Sequence, residues 1–128
     1  MKYLSDYMEE KQTALFNKTG TIFAFSDKQF EEQKVKGKQY SRLAQGMVTE
    51  KGNEIEVIEG LDKIYRDSIK QDIKENGKDK IILRELLNHE AFYVGNIEET
   101  INILEDYPIT EDDISHSFQK NWAKYSDY

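Results

Sequence analysis

The stretch EIEVIEGLDKIYRDSIKQDIKENG, residues 54–77, carries the strongest periodic signal in the chain. Apolar side chains recur in it every three or four residues, the spacing of one helix face: Ile55, Ile58, Leu61, Tyr65, Ile69 and Ile73. The pattern predicts a helix from Ile55 to Glu75. Gly77 predicts its end, because glycine readily adopts the left-handed conformation that follows many helices. Gly60 lies inside this helix and costs about 1 kcal/mol relative to alanine, so we expect a packing reason for a small residue there.

Before this helix, the pattern predicts two helices and a small sheet. The first helix runs from Ser5, a possible N-cap, to Asn17. The apolar and β-branched run Thr21–Phe25 predicts a short buried strand. Ser26 and Gln29 have the spacing of a capping box, which predicts a second helix. The segment Tyr40–Thr49 predicts one or two strands that pair with Thr21–Phe25.

After it, the pattern predicts three more helices. They run from Asp79 to Phe92 or Tyr93, from Ile97 to Asp106 behind Asn96 as N-cap, and onward from Thr110. The last begins with a threonine followed three residues later by Asp113. Its apolar stripe predicts docking onto the rest of the chain or onto a partner: Ile114, Phe118, Trp122 and Tyr125. The fold class we expect is α+β, a predominantly helical single domain over residues 1–128 with a small antiparallel sheet in the N-terminal half.

Composition restricts the compartment and the chemistry. The 128 residues contain no cysteine, which excludes disulfides, thiolate metal sites and cysteine nucleophiles. Charged residues interrupt the N-terminal segment before any apolar run is long enough for a signal peptide. Nowhere in the sequence do eighteen consecutive apolar residues occur, the length needed for a membrane-spanning helix. We therefore expect a cytoplasmic protein without membrane contact, and neither a cofactor nor a metal is predicted.

Charge is distributed unevenly. The formal net charge is −7, yet the segment from Glu85 to the end holds ten acidic residues against Lys120 and Lys124, which is −8. Such a surface repels nucleic-acid phosphates and attracts proteins with a basic surface, or cations. The ordinary alternative is a solvated helix face that needs charge for solubility.

The segment LLNHEAFYVG, residues 86–95, contains weak catalytic candidates in His89 and Glu90. A zinc protease helix needs a second histidine four residues after the first, where this chain has Tyr93. A metal-dependent hydrolase or nuclease would therefore need His116 to converge with His89 and Glu90 through the fold. The alternative is the C-terminal end of an amphipathic helix, in which His89 stabilises the cap region and pairs with Glu85 one turn earlier.

The acidic segment supplies candidate partner-binding residues. They are the acids Glu105, Asp106, Glu111, Asp112 and Asp113, with Tyr107, Trp122, Tyr125 and Tyr128 as aromatic anchors. The oxygen spacing and glycine of an EF-hand are missing from these acids. Acids in a first helical turn also have an ordinary reason, because they complement the positive end of the helix dipole. The alternative for Trp122 is that it packs in the core of the chain itself and contacts no partner.

A basic segment before the central helix offers a different function. Lys34, Lys36, Lys38 and Arg42 lie within nine positions and could contact RNA phosphates. Only Tyr40 lies among them for base stacking, and the segment contains no recognisable nucleic-acid motif. A solvated basic loop is the preferred interpretation, and direct RNA binding stays an alternative.

Two segments carry a resemblance: EKQTALFNKTGTIFAFSDKQFEE near the start and IKQDIKENGKDKIILRELLNHEAFYVGNIEETINIL in the second half. Together they resemble a small uncharacterised protein family carried mainly by bacterial phages and prophages. The resemblance implies an origin in a mobile element and supplies no fold, activity or site. With the acidic surface, it leads to the hypothesis of a non-enzymatic interaction module that binds a host or phage protein with a basic surface. Its specific form would be an anti-CRISPR-like inhibitor of a host nucleic-acid-handling or defence complex.

Overall fold

The computed structural model describes residues 1–126 of the chain. Within them, seven helices and three strands follow one another in this order: α1 Leu4–Thr19, β1 Ile22–Phe23, α2 Asp27–Gln33, β2 Tyr40–Ala44, β3 Met47–Glu50, α3 Glu54–Asn76, α4 Lys78–Asn88, α5 Ala91–Val94, α6 Glu98–Ile103 and α7 Glu111–Tyr125. The predicted class is confirmed: the protein is α+β and mostly helical, with its sheet in the N-terminal half.

Close contacts divide the chain into two compact units, Met1–Ser68 and Ile69–Tyr128. The division falls inside α3 and not in a linker. None of the helices in the described residues is long and apolar enough to cross a membrane. The expectation of one domain over the whole chain stays a prediction.

The N-terminal unit contains an antiparallel sheet in the order β1-β3-β2. Val48 at its centre lies opposite Ile22 on one side and Arg42 on the other, which confirms the predicted strand pairing. Thr49 is fully buried and donates a hydrogen bond from its hydroxyl to the Thr19 carbonyl at 3.0 Å. This bond ties the end of α1 to the central strand, because it satisfies a helix-end carbonyl that lacks a partner within α1.

The prediction of a buried strand over Thr21–Phe25 was wrong in extent and in burial. Only Ile22 and Phe23 pair with β3, and Phe25 is 73% exposed. The cause lies in the next helix: the Ser26 hydroxyl accepts from the Gln29 amide, and the Gln29 side chain accepts from the Phe25 amide at 2.7 Å. The predicted cap at Ser26 is thus confirmed, and the helix begins at Asp27, two residues after Phe25.

The N-cap of α1 was assigned to the wrong residue. The helix begins at Leu4, and Tyr3 precedes it in an extended conformation. Asp6 accepts a hydrogen bond from the Tyr3 amide at 2.8 Å, so the reciprocal half of a capping box is supplied by Asp6. Ser5 lies inside the first turn.

Helix α3 confirms the predicted element and the burial of Ile69, but the N-terminal part of the predicted apolar stripe is exposed. Val57, Ser68 and Asp72 are fully buried, whereas Ile55 and Ile58 are 69% and 59% exposed. Two polar residues therefore occupy positions on the buried face, which a search for apolar periodicity cannot detect. The packing reason for Gly60 is confirmed. A Cβ there would lie 2.8 Å from the Leu15 side chain, closer than van der Waals contact allows.

The C-terminal unit packs α4 to α7 around a core of branched aliphatic side chains. The fully buried members are Ile81, Ile82, Leu86, Leu104 and Ile114. Helix α7 starts as predicted: the Thr110 hydroxyl accepts from the Asp113 amide, and Asp113 accepts from the Thr110 amide. It also docks in cis, because Phe118 stacks on Phe92 of α5 with ring centroids 5.1 Å apart.

Two predicted helices of this unit are shorter than expected. Helix α4 ends at Asn88 and does not continue to Tyr93, since Glu90 has a φ of +54° and breaks the helical path before α5. Helix α6 covers Glu98–Ile103 only. Its N-cap is Ile97 and not the predicted Asn96, although the Asn96 side chain accepts a hydrogen bond from the Glu98 amide at 2.8 Å.

Candidate functional site

A buried ionic network lies at the centre of the C-terminal unit. Asp72 of α3 is fully buried and receives two parallel hydrogen bonds from the guanidinium of Arg84, at 2.9 and 3.0 Å. Tyr107 donates its hydroxyl to the same carboxylate at 2.5 Å, and the Asn76 amide donates at 2.8 Å. Each carboxylate oxygen of Asp72 therefore accepts two hydrogen bonds. This arrangement compensates for removing both charges from water.

Burial and hydrogen bonding act in opposite directions on the acidity of Asp72. Burial alone would raise its pKa, but the hydrogen bonds from Arg84, Tyr107 and Asn76 outweigh that effect and hold the pKa below its usual value. Burial, together with the hydrogen bond to Asp72, raises the pKa of Tyr107 well above its ordinary range. The network therefore stays in one charge state, with Asp72 ionised and Tyr107 neutral, throughout the physiological range.

The network stabilises the fold and offers no reactive group to a substrate. Asp72, Arg84 and Tyr107 are each at most 6% exposed, so a ligand cannot reach them from solvent. The prediction that Tyr107 contacts a partner was wrong, because its side chain is buried in the core. Apolar periodicity does not reveal this network. The available signals were Asp72 on the buried face of α3 and Arg84 among the apolar residues of α4.

His89 and Glu90 occupy the junction between α4 and α5. His89 is the C-cap of α4, which agrees with its predicted place at a helix end. Its predicted side-chain pairing with Glu85 was wrong: Nδ1 of His89 lies 3.4 Å from a carboxylate oxygen of Glu99, and Glu85 is buried with its carboxylate 3.4 Å from Nε of Arg84. The histidine thus connects the end of α4 to the first turn of α6.

The two histidines do not converge. His89 lines a cleft of about 510 Å³ with Glu90, Glu98, Glu99 and other residues of α5 and α6. His116 lines a separate groove between α4 and α7. Among residues 1–126, no three histidine, aspartate or glutamate side chains are grouped so that they could hold a metal ion.

Glu90 is the only described residue other than glycine with a positive φ. A left-handed conformation costs a residue with a Cβ about 1–2 kcal/mol. Three backbone hydrogen bonds hold it in place: its amide donates to Leu87, and its carbonyl accepts from Tyr93 and Val94 at 3.0 Å each. The strained residue therefore fixes where α4 stops and in which direction α5 leaves.

The predicted acidic residues lie mainly in solvent. Glu105 and Asp106 follow α6 and are exposed, as are Glu111 and Asp112 in the first turn of α7. Asp113 is partly buried, and its hydrogen bonds with Thr110 lower its pKa, so it serves the helix cap. Glu105, Asp106, Glu111 and Asp112 are thus exposed on the surface, whereas Asp113 takes part in the helix cap.

The predicted aromatic anchors differ in exposure. Trp122 is 45% exposed and packs edge-on against Phe118 at 5.3 Å, so it both closes the core and reaches solvent. Tyr125 is partly buried, with its ring 5.4 Å from Phe92. Tyr128 lies outside the described residues. Trp122 is eleven residues beyond Glu111 on α7, so these two residues lie about 16 Å apart along the helix axis.

The basic segment is partly neutralised by acids of its own unit. Lys34 pairs with Glu31 at 2.8 Å and Lys38 with Glu50 at 3.1 Å. Lys36 and Arg42 are exposed, and Arg42 borders a groove shared with Phe25 and Tyr40. The four cations are therefore not all free for phosphates.

The geometry defines the class as a small, mostly helical α+β protein with an ionic network in its core and an acidic surface on its C-terminal unit. The model of a protein family of unknown function (DUF7659) matches residues 4–127, and the chain belongs to this family. No curated protein and no solved structure matches it.

Proposed function

We propose that the chain is a non-enzymatic interaction module that binds a basic protein surface through its C-terminal unit. The observation that carries the proposal is the exposure of acids at the α6–α7 connection: Glu105, Asp106, Glu111 and Asp112 all face solvent. Acids clustered in this way attract a cationic partner over distances of about 10 Å at moderate salt. Trp122 supplies an apolar anchor on the same helix as two of these acids.

The footprint that this arrangement requires is of ordinary size. Glu111 and Trp122 are separated by about 16 Å along α7. A standard protein interface covers about 800 Å² on each partner, which is wide enough to contain both. A partner that contacts both ends of α7 would gain attraction from the acids and binding energy from the desolvated tryptophan.

We further propose a cytoplasmic partner that normally binds nucleic acid. Carboxylates can occupy a basic groove where phosphates would otherwise lie. In a phage or prophage, such a module would inhibit a host nucleic-acid-handling or defence complex, in the manner of an anti-CRISPR protein. The resemblance to phage-carried sequences and the acidic surface support this narrower form.

Affinity capture tests the proposal. The purified protein is immobilised, host lysate is passed over it at moderate salt, and retained proteins and nucleic acids are identified by mass spectrometry and sequencing. We expect one stoichiometric basic protein that is lost with Trp122→Ala or with a surface-acid variant carrying four neutralising substitutions: Glu105→Gln, Asp106→Asn, Glu111→Gln and Asp112→Asn.

A charge-matched control distinguishes binding at this acidic surface from an effect of the protein's net charge. Four exposed acids of the N-terminal unit are neutralised instead: Glu9→Gln, Glu10→Gln, Glu32→Gln and Glu59→Gln. Both variants have the same net charge, so only a location-specific surface distinguishes them. If the control loses the partner equally, or if nothing specific is retained, the proposed function is wrong.

A further inference from the structure

The junction between α4 and α5 forms a small surface pocket of unusual composition. Its cavity of about 290 Å³ is lined by Leu87, Glu90, Phe92 and Tyr93. Small-molecule sites generally begin at about this volume, so the pocket suits a single side chain better than a larger ligand. Two aromatic rings, one aliphatic side chain and one carboxylate surround it.

The backbone break at Glu90 creates this arrangement. Because α5 leaves in a new direction, Phe92 points inward and is only 4% exposed, held by its stacking on Phe118. Tyr93 is the next residue and points the opposite way, with 76% of its surface exposed. The exposed ring of Tyr93 thus lies beside the buried ring of Phe92, and both belong to the short helix α5.

Glu90 adds charge to the aromatic wall. It is exposed, and the three backbone hydrogen bonds that hold its left-handed conformation also hold its Cα in place beside the pocket. Glu90 and Tyr93 both line the pocket, and a carboxylate together with a tyrosine ring is complementary to a cation, because the ring face is the negative end of its quadrupole. The surrounding unit adds negative potential of the same sign.

We infer that this pocket receives an arginine side chain of the basic partner. Arginine fits better than lysine, because its planar guanidinium can lie on the tyrosine ring while its N–H groups form a fork with the carboxylate. The arginine stem would lie against Leu87. The inference deepens the proposed function and rests on it for the biological partner, while the pocket itself can be tested without one.

Nuclear magnetic resonance titration with small probes tests the pocket. The full chain is titrated with N-acetyl-arginine amide and, separately, with N-acetyl-citrulline amide, a neutral isostere. We expect amide shifts confined to residues 87–95 and about two- to fivefold tighter binding of the arginine probe, the contribution of an exposed cation–π contact. The lysine analogue should bind more weakly than arginine.

Variants assign the effect to the two named side chains. Glu90→Gln keeps the backbone strain and the side-chain shape but removes the charge, and Tyr93→Leu removes the ring from an exposed position. Each should reduce the preference for arginine over citrulline, because each removes one of the two contacts to the guanidinium, while the exposed-acid control Glu105→Gln should retain it. Unchanged amide dispersion elsewhere establishes that each variant is folded.

The pocket assignment is overturned if citrulline binds as well as arginine, if lysine binds equally, if the largest shifts fall outside residues 87–95, or if both variants behave as the wild type. Failure of the broader proposal gives a different result. There, arginine would still bind the pocket, but lysate capture would retain no protein. Conversely, a captured partner that Glu90→Gln and Tyr93→Leu both retain at full affinity would refute the pocket alone.

Discussion

Replacing Asp72 by asparagine removes the charge at the centre of the buried network and keeps the shape of the side chain. In the variant, the Arg84 guanidinium stays buried, with side-chain exposure of 3%, and has lost the carboxylate that faces both of its terminal nitrogens. Breaking a buried ion pair from one side destabilises a protein by about 3–5 kcal/mol. Because whole proteins are stable by about 5–15 kcal/mol, this single change would remove a large part of the free energy of unfolding.

Tyr107 provides a graded comparison. Tyr107→Phe removes one hydrogen bond to an ionised group and should cost about 1.5–3 kcal/mol. Since both side chains share the same contact at 2.5 Å, the double variant should lose less than the sum of the two single variants. Asp62→Asn is the control on the same helix: Asp62 pairs with Arg66 on the surface, and its loss should cost less than about 1 kcal/mol.

Urea unfolding measures these differences. Far-UV circular dichroism follows the helices, and fluorescence follows Trp122, the single tryptophan, which lies in the same unit as the network. We expect a much lower midpoint for Asp72→Asn than for Asp62→Asn, with similar slopes. A loss below about 1 kcal/mol for Asp72→Asn would refute the argument that the buried guanidinium depends on this carboxylate.

The pH dependence of the difference has a definite sign. Hydrogen bonds lower the folded-state pKa of Asp72 below its ordinary value of 3.8. Its stabilising effect is therefore fully present above about pH 4–5 and is lost as the pH falls through the lower folded-state pKa. The gap in free energy of unfolding between wild type and Asp72→Asn should narrow below pH 4. A gap that widens on acidification would contradict the assigned direction.

Three further changes test local geometry by the same unfolding measurement. Glu90→Gly should stabilise the fold by about 0.5–1 kcal/mol, because glycine adopts a φ of +54° without strain; destabilisation would mean that the Glu90 side chain holds the junction. Gly77→Ala should destabilise the fold by about 1–3 kcal/mol, because Gly77 combines a φ of +77° with a ψ of 158°, a conformation that strains a residue with a Cβ. An added Cβ would meet no atom within 4 Å, so a steric clash does not contribute. An unchanged stability would contradict the argument from backbone strain. Thr110→Ala should cost about 1 kcal/mol through loss of the α7 cap, and an unchanged midpoint would show that Asp113 alone suffices.

Local signals predicted the elements of the fold well. The capping pairs Ser26–Gln29 and Thr110–Asp113 act over three residues, so they are visible in sequence and hold in the structure. A glycine inside a helix likewise predicts a close contact at position 60, and in the structure the Leu15 side chain makes this contact. Such features need no information from distant parts of the chain.

Long-range pairing of polar residues was beyond the sequence. Asp72 and Tyr107 are thirty-five positions apart, and an aspartate in a charged helix gives no sign that it is buried. The exposure of Ile55 and Ile58 follows from the same cause: the true buried face contains Ser68 and Asp72, which apolar periodicity does not count. The exposure of acids such as Glu105 and Asp112 could be expected from sequence, because charged side chains are rarely buried without a partner.

The position of the unit boundary determines how the protein can be dissected. It falls between Ser68 and Ile69, inside the uninterrupted helix Glu54–Asn76. A fragment cut there would leave unpaired amides and carbonyls at the new helix ends, since helix hydrogen bonds reach four residues along the chain. Expression of either half should therefore retain the whole of α3, and a protease that cleaves between folded units should find no exposed linker at this boundary.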